Sequence, residues 1–577
     1  MASPVILGIN ASHGHSSACA VVGGKLVAAA EEGRFHPIKD WAGLPVESVR
    51  YCLSAAGLEF GDVDVLASNS DPSAAMAQKV WYVLRHRPDP RFVLESLRHR
   101  AARRSAVDLL EEALGEPFLG RTEEVEHHRA HLSSAFHVSP FEEAVVVSVD
   151  GFGDFASACW GVGRGSEIRI DGRVYFPHSL GVFCQAMTQF IGFPHYADEY
   201  EVMGLASCGE PRYLDAMRQV VRLKPHGGFA LNLDYFVHHR ATFAGPWENT
   251  EPTVGLLFSS KLESLLGPAR QADAPVEQRH KDIARSVQAM YEEAFFHLLN
   301  VLHRRYGLDA LALAGGCAMN SVANGKVTRM TPFRNLYVQS PAGDAGGALG
   351  AAFSAWHGEA SSSARFRMDH ACAGPEVTTD ALRSFMGDRR EAIEAAGCVV
   401  EEVLDLGALC TRTASAIAQG KVVGWFQGRM EWGPSALGNR SILGDPRRAD
   451  MTEILNLKFK RGASFRPFAP SILRERLSEW FEQDGDVPVM LQEKRAQIPA
   501  VTHVDGSGHL QTVTRESNPR YYALIEAFEA QTGVPMVLNI SLSENAPLVC
   551  QPQEALDCFL RTKMDVLVLA EWFIERC

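Results

Sequence analysis

The sequence lacks any excess of basic residues. Among its 577 residues, 56 are Lys or Arg and 69 are Asp or Glu, which gives a formal net charge of −13. Non-specific binding to nucleic acid depends on clustered cations that displace the counterions of the phosphate backbone. We therefore expect no nucleic-acid partner, although this balance leaves room for a local basic pocket that holds a phosphorylated small molecule.

The sequence also lacks paired cysteines, a long apolar run and a leader peptide. Its 12 cysteines are scattered from Cys19 to Cys577 without a CxxC pair, which indicates buried or free thiols in a reducing compartment rather than disulfides or a zinc knuckle. No apolar run reaches the roughly 18 residues of a membrane span. The first residues, MASPVILGINASHGHSSA, lack a basic region followed by an apolar one. These absences predict a cytoplasmic protein without a membrane partner.

What is present is a repeated strand–loop–strand plan. The chain is too long for a single hydrophobic core, so we expect two or three domains. VILGIN, SACAVV and KLVAAAEE are typical of strands, and Gly23-Gly24 supplies the turn between the last two. The plan returns at 144–163, where AVVVSVD and ASACWGVG flank the loop GFGDF. This repeat predicts two related α/β halves.

Two glycine-rich turns follow strands later in the chain. LDALALAGGCAMN and YVQSPAGDAGG each predict a strand, a turn and then a helix. Small residues let a ligand approach the backbone, and the free N–H groups at the start of a helix attract anions. The turns therefore indicate a nucleotide cleft, although glycine serves an ordinary strand-to-helix turn equally well.

A small, polar segment separates this region from a second α/β unit. We assign residues 1–365 to the first domain, 366–380 to a linker and 381–577 to the second domain. In the second domain, VVGWFQGRMEWGPSALGNRSILGDPR and SFRPFAPSIL place arginines among glycines and prolines, as in phosphate-binding loops. Surface ion pairs are the alternative interpretation of these arginines.

The segment VEHHRAHLSSAFH suggests a metal site. His127 and His131 are four residues apart, so a helix places both imidazoles on one face. Such a pair is more often a surface or packing feature, and it needs carboxylates to favour metal binding. Asp150 follows a buried strand and Asp344 precedes a helix. Two histidines and two aspartates make a mixed N/O set, which suits iron or manganese better than structural zinc.

These motifs together resemble one family. The order HHxAH, VDGFGD, VMGLA, LAGGCAMN, GDAGGALGAA, GPSALGNRSIL, FRPFAPS and NPRYY is similar to that of the NodU-type carbamoyltransferases, which include antibiotic O-carbamoyltransferases, and it covers nearly the whole chain. The resemblance implies a TsaD-like first domain with an actin-like ATPase fold of two RNase H-like halves, followed by a YrdC-like α/β domain. It implies that carbamoyl phosphate and ATP form carbamoyl-adenylate. The carbamoyl group then passes to a hydroxyl or amine of a small-molecule acceptor in specialised metabolism, such as antibiotic biosynthesis.

The resemblance also implies roles for individual residues. The metal ligands are His127, His131, Asp150 and Asp344, with iron preferred and manganese or magnesium as alternatives. The general base is left open among His15, His128 and Asp154. The nucleotide is expected at Gly315, Gly316, Asn320, Gly346 and Gly347. The carbamoyl phosphate and ATP pocket of the second domain comprises the positions Ser435, Arg440, Lys460, Arg466, Arg520 and Asn539. Family members often form homodimers.

This sequence departs from the family pattern at several positions. Ser435 stands where the family has an arginine, Gly462-Ala463 replaces Arg-Glu, and Glu201 replaces a lysine. Loss of an arginine from a buried phosphate pocket costs about 2–5 kcal/mol. A diverged member that uses the metal and nucleotide site for another ATP-dependent acyl transfer or condensation is therefore an alternative. A catalytically silent binding or scaffold protein is a third hypothesis, and the complete metal set argues against it.

Overall fold

The computed structural model describes residues 3–11, 13–38, 40–86, 105–240, 251–359, 365–459, 468–481, 496–502, 510–543 and 547–577. The chain divides into two compact units, Met1–Met368 and Asp369–Cys577. The point of division falls inside 366–380, the segment suggested as a linker.

The first unit begins with a five-stranded sheet. Its strands are β1 (Val5–Asn10), β2 (Ser17–Val22), β3 (Lys25–Glu31), β4 (Val65–Ser68) and β5 (Arg121–Glu124), in the order β3-β2-β1-β4-β5. Strands β1, β2 and β3 are antiparallel, whereas β4 runs parallel to β1 and β5 parallel to β4. The central strand β1 is buried along its whole length, in keeping with its apolar sequence. The helices are α1 (Val46–Ala56), α2 (Met76–His86), α3 (Ala106–Leu114) and α4 (His127–Phe136).

The second sheet of this unit repeats the topology of the first. Its strands are β6 (Glu143–Gly153), β7 (Ala156–Arg164), β8 (Glu167–Tyr175), β11 (Ala310–Ala314) and β12 (Asn335–Val338), in the order β12-β11-β6-β7-β8. Again the first three strands are antiparallel and the last two are parallel to the first. A small hairpin, β9 (Val221–Leu223) and β10 (Phe229–Leu231), lies apart. The predicted pair of RNase H-like halves is therefore confirmed.

Among the described residues, eight α-helices lie between Leu180 and Glu359. They are α5 (Leu180–Phe190), α6 (Glu199–Ala206), α7 (Leu214–Val220), α8 (Ser260–Leu266), α9 (Gln278–Tyr306), α10 (Ser321–Asn324), α11 (Val327–Met330) and α12 (Asp344–Glu359). Helix α12 packs on the first sheet, and α4 packs on the second sheet and on α12. The two helices approach closely because Gly350 has no side chain, and a Cβ there would lie 1.7 Å from the carbonyl oxygen of Ala130. The last helix of each half thus packs on the sheet of the other half.

The second unit is built on a mixed eight-stranded sheet. Its strands are β13 (Cys398–Glu402), β14 (Val423–Phe426), β15 (Arg440–Gly444), β16 (Ala469–Leu473), β17 (Gln511–Val513), β18 (Met536–Ser541), β19 (Val566–Leu569) and β20 (Trp572–Arg576), in the order β13-β20-β19-β14-β15-β18-β16-β17. The helices are α13 (Thr379–Ala395), α14 (Leu406–Ala418), α15 (Met451–Phe459), α16 (Leu477–Trp480), α17 (Pro519–Thr532) and α18 (Pro552–Arg561). The strands β14 and β19 are buried along their full length, so the core of this unit lies around the middle of the sheet. A second α/β domain is confirmed.

Three local predictions differ from the structure. The loop GFGDF is mostly strand, because β6 continues to Gly153 and only Asp154 and Phe155 form the turn. Gly346 and Gly347 lie inside α12 rather than in a turn, since the helix already begins at Asp344. The turn at Gly315-Gly316 leads into a 3-10 segment and the short helices α10 and α11, not one long helix. Within the described residues, no helix combines the length and apolarity needed to cross a bilayer.

Candidate metal centre

The four predicted metal ligands converge on one point. His127, His131, Asp150 and Asp344 each direct a donor atom into a cluster whose atoms lie within 4.8 Å of one another. Both imidazoles are buried, and the side chains of the two aspartates are 12% and 16% exposed. A mixed nitrogen and oxygen set with partial access to solvent fits a divalent cation that also contacts a substrate.

The distances inside the cluster indicate strong electrostatic coupling. The Nε2 atom of His131 lies 2.7 Å from Asp150 Oδ2 and 3.0 Å from His127 Nε2, and both imidazoles lie 3.6 Å from Asp344 Oδ1. Burial opposes protonation of His131, but its hydrogen bonds to Asp150 and Asp344 raise its pKa to about 10. Burial would raise the pKa of Asp150, yet hydrogen bonds from His127 and His131 hold it well below its usual range. Two ring nitrogens facing each other between two carboxylates form a site that a cation would satisfy.

The fold explains why these side chains meet. The histidines occupy one face of α4, as their spacing predicts, and Asp344 is the first residue of α12. Asp150 accepts hydrogen bonds at Oδ1 from the backbone N–H groups of Gly151 at 2.7 Å and Gly316 at 3.1 Å. These bonds orient the carboxylate so that Oδ2 faces the imidazoles.

His13 is a neighbour of this cluster that the sequence reasoning missed. Its ring centroid lies 4.6 Å from that of His127, and its buried Nδ1 has no hydrogen-bond partner within the part of the chain that the structure describes. Burial, reinforced by the nearby His127, lowers its pKa to about 4. The side chain of Asn10 braces this loop by donating to the carbonyls of Gly14 and His15. The available signal was the match between the loop after β1 and the loop after β6.

The three candidates for the general base have different surroundings. His15 pairs with Asp40 at 3.4 Å and faces Tyr196, and it is not a member of the ligand cluster. His128 is fully buried, with Nδ1 2.8 Å from Ser148 Oγ, and burial followed by the charge of His127 lowers its pKa to about 4. Asp154 accepts hydrogen bonds from the backbone N–H groups of His127 and Asp71.

The glycines predicted to bind nucleotide serve close packing in the structure. A Cβ on Gly315 would lie 2.3 Å from the carbonyl oxygen of Val149, and one on Gly316 would lie 2.9 Å from Asp150 Oδ1. A Cβ on Gly346 would meet the carbonyl oxygen of Pro341 at 2.1 Å, and one on Gly347 would meet Asn69 Nδ2 at 2.2 Å. These contacts require glycine whether or not a nucleotide binds.

Asn320 also has internal partners. It caps α10 by accepting from the N–H of Ala323, and its amide exchanges two hydrogen bonds with Gln288 at 2.9 and 3.1 Å. Glu201, where the family resemblance implied a lysine, lies in α6.

The second-unit residues are only partly available for a phosphate. Arg440 is fully buried over the ring of Phe426, and its Nη atoms donate to the carbonyls of Gln427, Gly428, Asn439 and Pro375. Burial lowers its pKa. Arg520 pairs with Glu571 at 2.9 Å, whereas Ser435 is exposed. Lys460 and Arg466, like the substituted Gly462-Ala463, lie outside the described residues.

Two buried polar side chains organise the loop that carries Ser435. Asn539 on β18 donates through Nδ2 to the carbonyl of Ala436 at 3.0 Å, and its buried Oδ1 has no hydrogen-bond partner among the described residues. Glu431, which the sequence reasoning did not single out, accepts at Oε1 from the N–H groups of Leu437, Asn439 and Arg440. A buried carboxylate that accepts three backbone N–H groups shapes the whole loop.

The two RNase H-like halves and the cluster between them define an α/β protein with an actin-like first domain and a second α/β domain. Family models described as Carbamoyltransferase N-terminus and Carbamoyltransferase C-terminus match residues 5–353 and 414–576. The chain belongs to the carbamoyltransferase family, and the protein is a transferase. The resemblance inferred from the motifs is confirmed, and the hypothesis of a catalytically silent scaffold is not supported.

Individual relatives agree with this assignment. An uncharacterised Synechocystis protein is 38% identical over 99% of this chain and 96% of its own length. Nodulation protein NolNO of Sinorhizobium fredii is 35% identical over 97% of this chain and 79% of its own length. A 3'-hydroxymethylcephem-O-carbamoyltransferase of Amycolatopsis lactamdurans is 33% identical over 41% of this chain and 42% of its own length. The family assignment therefore rests on similarity along nearly the whole chain.

Proposed function

We propose that the protein moves a carbamoyl group from carbamoyl phosphate, through carbamoyl-adenylate made with ATP, to a hydroxyl or amine of a small-molecule acceptor. We place this reaction in the cytoplasm and in specialised metabolism. The observation that carries the proposal is the buried set of His127, His131, Asp150 and Asp344 in a chain that matches both family models.

The chemistry explains why a cation site belongs in such a protein. Hydrolysis of carbamoyl phosphate by water releases inorganic phosphate and leaves carbamate, which is a poor electrophile. Attack of a carbamate oxygen on the α-phosphorus of ATP then releases pyrophosphate and gives the carbamoyl group AMP as a good leaving group. A divalent ion held by the cluster, iron by preference and otherwise manganese or magnesium, would supply positive charge beside the departing phosphate. The donor set supports this assignment, because two imidazoles and two carboxylates face one point.

His13 is our choice for the group that accepts the proton of the acceptor. It lies beside His127, and its lowered pKa keeps the ring neutral near pH 7, so a ring nitrogen is free to accept. The surroundings of the other candidates favour it. His128 is fully buried, and His15 is paired with Asp40 outside the ligand cluster.

The altered second unit supports a second candidate function, in which the donor is not carbamoyl phosphate. Ser435 offers no cation, and the described contacts of Arg440 are all with carbonyl groups and the ring of Phe426. A diverged transferase would then use the first domain for another ATP-dependent acyl transfer or condensation.

The test is to incubate the purified full-length protein with ATP and carbamoyl phosphate and to follow pyrophosphate and carbamoyl-adenylate by mass spectrometry. We expect both products, and the Asp150→Asn variant should still form them because it alters only the first domain. Absence of both products from the parent protein would refute the proposal.

The double variant Ser435→Arg, Gly462→Arg addresses the alternative. A large gain in the use of carbamoyl phosphate would show that the parent had lost its donor site and would favour a different natural donor. An unchanged rate would show that other residues make the missing contacts.

A further inference from the structure

The turn between β6 and β7 is built in an unusual way. Only Asp154 and Phe155 separate the strands, and both adopt positive φ, 45° and 74°, although neither is glycine. L-residues rarely adopt this conformation, because the Cβ crowds the carbonyl oxygen. Where such strain persists, surrounding contacts hold it in place. The contacts of Asp154 are therefore expected to matter for the site that begins four residues earlier, at Asp150.

The carboxylate of Asp154 joins three segments of the first unit. Its Oδ2 accepts from the backbone N–H of His127 at 2.9 Å and from that of Asp71 at 2.7 Å. Its Oδ1 accepts from Ser70 Oγ at 3.2 Å. The turn of the second sheet is thus tied to the loop after β4 in the first sheet and to the first residue of α4.

The contact with His127 reaches a metal ligand directly. The first N–H groups of a helix have no partner within the helix, so side chains must satisfy them. Asp154 takes the N–H of His127, while Glu126 takes those of His128 and Arg129. Two carboxylates therefore set where α4 starts, and the imidazole of His127 is carried by the residue that Asp154 holds.

We propose that Asp154 is a positioning residue for the metal ligand His127, and not the general base of the reaction. Three of the four lone pairs of the Asp154 carboxylate already accept hydrogen bonds from the protein, two of them from backbone N–H groups, and this pattern fits a residue that holds the start of α4 in place. The inference rests on the proposed metal site. It explains why the proposed ligand His127 lies where it does.

Two variants separate the roles. In Asp154→Asn, the amide oxygen can still accept from both N–H groups, and the amide nitrogen can donate to Ser70 Oγ. Asp154→Ala removes all three bonds. In a calorimetric titration of metal-free full-length protein with Mn²⁺, we expect Asp154→Ala to bind about tenfold to a hundredfold more weakly. Asp154→Asn should stay within about threefold of the parent by the same argument.

A spectroscopic readout and a matched control complete the test. The visible bands of bound Co²⁺ report ligand geometry, so they should change in Asp154→Ala and be preserved in Asp154→Asn. Asp71→Ala removes a nearby carboxylate, whose bonds are with Ser73, but leaves the N–H that Asp154 accepts. Its Mn²⁺ affinity should equal that of the parent.

The outcomes are distinguishable. If the parent binds neither ion, the proposed metal site fails. If the parent binds Mn²⁺ and Asp154→Ala binds it equally well, the positioning role alone is refuted. Should Asp154→Ala not fold, Asp154→Asn decides. Affinity and Co²⁺ bands like those of the parent support positioning by hydrogen bonds, and a loss beyond about tenfold overturns it.

Discussion

Gly153→Ala should weaken metal binding strongly without changing any of the proposed ligands. Gly153 is the last residue of β6, and its Cα faces the ring of His127. A Cβ built there would lie 2.0 Å from both Cγ and Cδ2 of that ring and 2.5 Å from Nε2. One added methyl group therefore occupies space that the imidazole already fills.

The size of the displacement follows from the contact distance. Carbon atoms settle at about 3.5 Å, so the ring or the strand must retreat by about 1.5 Å. Metal–ligand bonds tolerate deviations of only about 0.2 Å. His127 would leave the coordination set, and we expect Mn²⁺ affinity to fall by at least about tenfold to a hundredfold. The overpacking should also lower the free energy of unfolding by about 1–3 kcal/mol.

The assay is a calorimetric titration of metal-free protein with Mn²⁺, accompanied by thermal unfolding. Gly151→Ala is the matched control, because, chain neighbours aside, no atom of the described residues lies within 4 Å of its added Cβ. That variant also keeps the N–H that donates to Asp150 Oδ1. Gly151→Ala should bind Mn²⁺ like the parent. If Gly153→Ala did so too, His127 would not be a ligand and the reasoning would be wrong.

Three further variants test buried charges. Arg440→Met should lower the free energy of unfolding by at least about 2 kcal/mol, because four carbonyls lose their donor, and unchanged denaturation in urea would contradict this. Glu431→Gln weakens three charge-assisted bonds to backbone N–H groups, so a loss of about 1–2 kcal/mol is expected in the same assay. Burial raises the pKa of Glu199 from 4.5 to about 7, so the folded state retains a proton that the unfolded state has lost, and stability falls as pH rises between these values. Glu199→Gln should therefore raise the Tm at pH 8, by the equivalent of about 1–3 kcal/mol, and leave it nearly unchanged below about pH 4; equal effects at both pH values would count against burial as the cause.

The elements that local sequence rules determine could be predicted. The apolar strands β1, β2, β6 and β7 were predicted because buried strands are short apolar runs bounded by polar loops. The approach of His127 and His131 was predicted because a helix aligns residues four apart. Asp344 was singled out because it stands where a helix begins, and Asp150 because it follows an apolar run, although β6 continues past it to Gly153.

Tertiary packing explains the features that local sequence rules do not give. Gly346 and Gly347 read as a turn, but α12 begins two residues earlier and needs both glycines to pass close to Pro341 and Asn69. Arg440 reads as a phosphate ligand in a glycine-rich loop, yet it is the first residue of β15 and its side chain turns inward over Phe426. The local sequence does not show whether such an arginine donates to carbonyl groups of the protein or to a bound phosphate.

The two repeated halves place different residues at equivalent positions, so they contribute different side chains to the candidate site. Ile9 pairs with Ala18 in the first sheet as Val149 pairs with Ala158 in the second, so Asn10 occupies the position of Asp150. Likewise α4 and α12 begin with His127 and Asp344, so the two helices that exchange between the halves each place a member of the candidate cluster at their first residue. Where the second half has the carboxylate of Asp150, the first half has an amide that braces the loop carrying His13. In the proposed site, one half would provide the negative charge that holds a cation, and the other would provide a neutral imidazole beside it. The exchange of the Asp150 carboxylate for the Asn10 amide at the equivalent position would account for these two different roles.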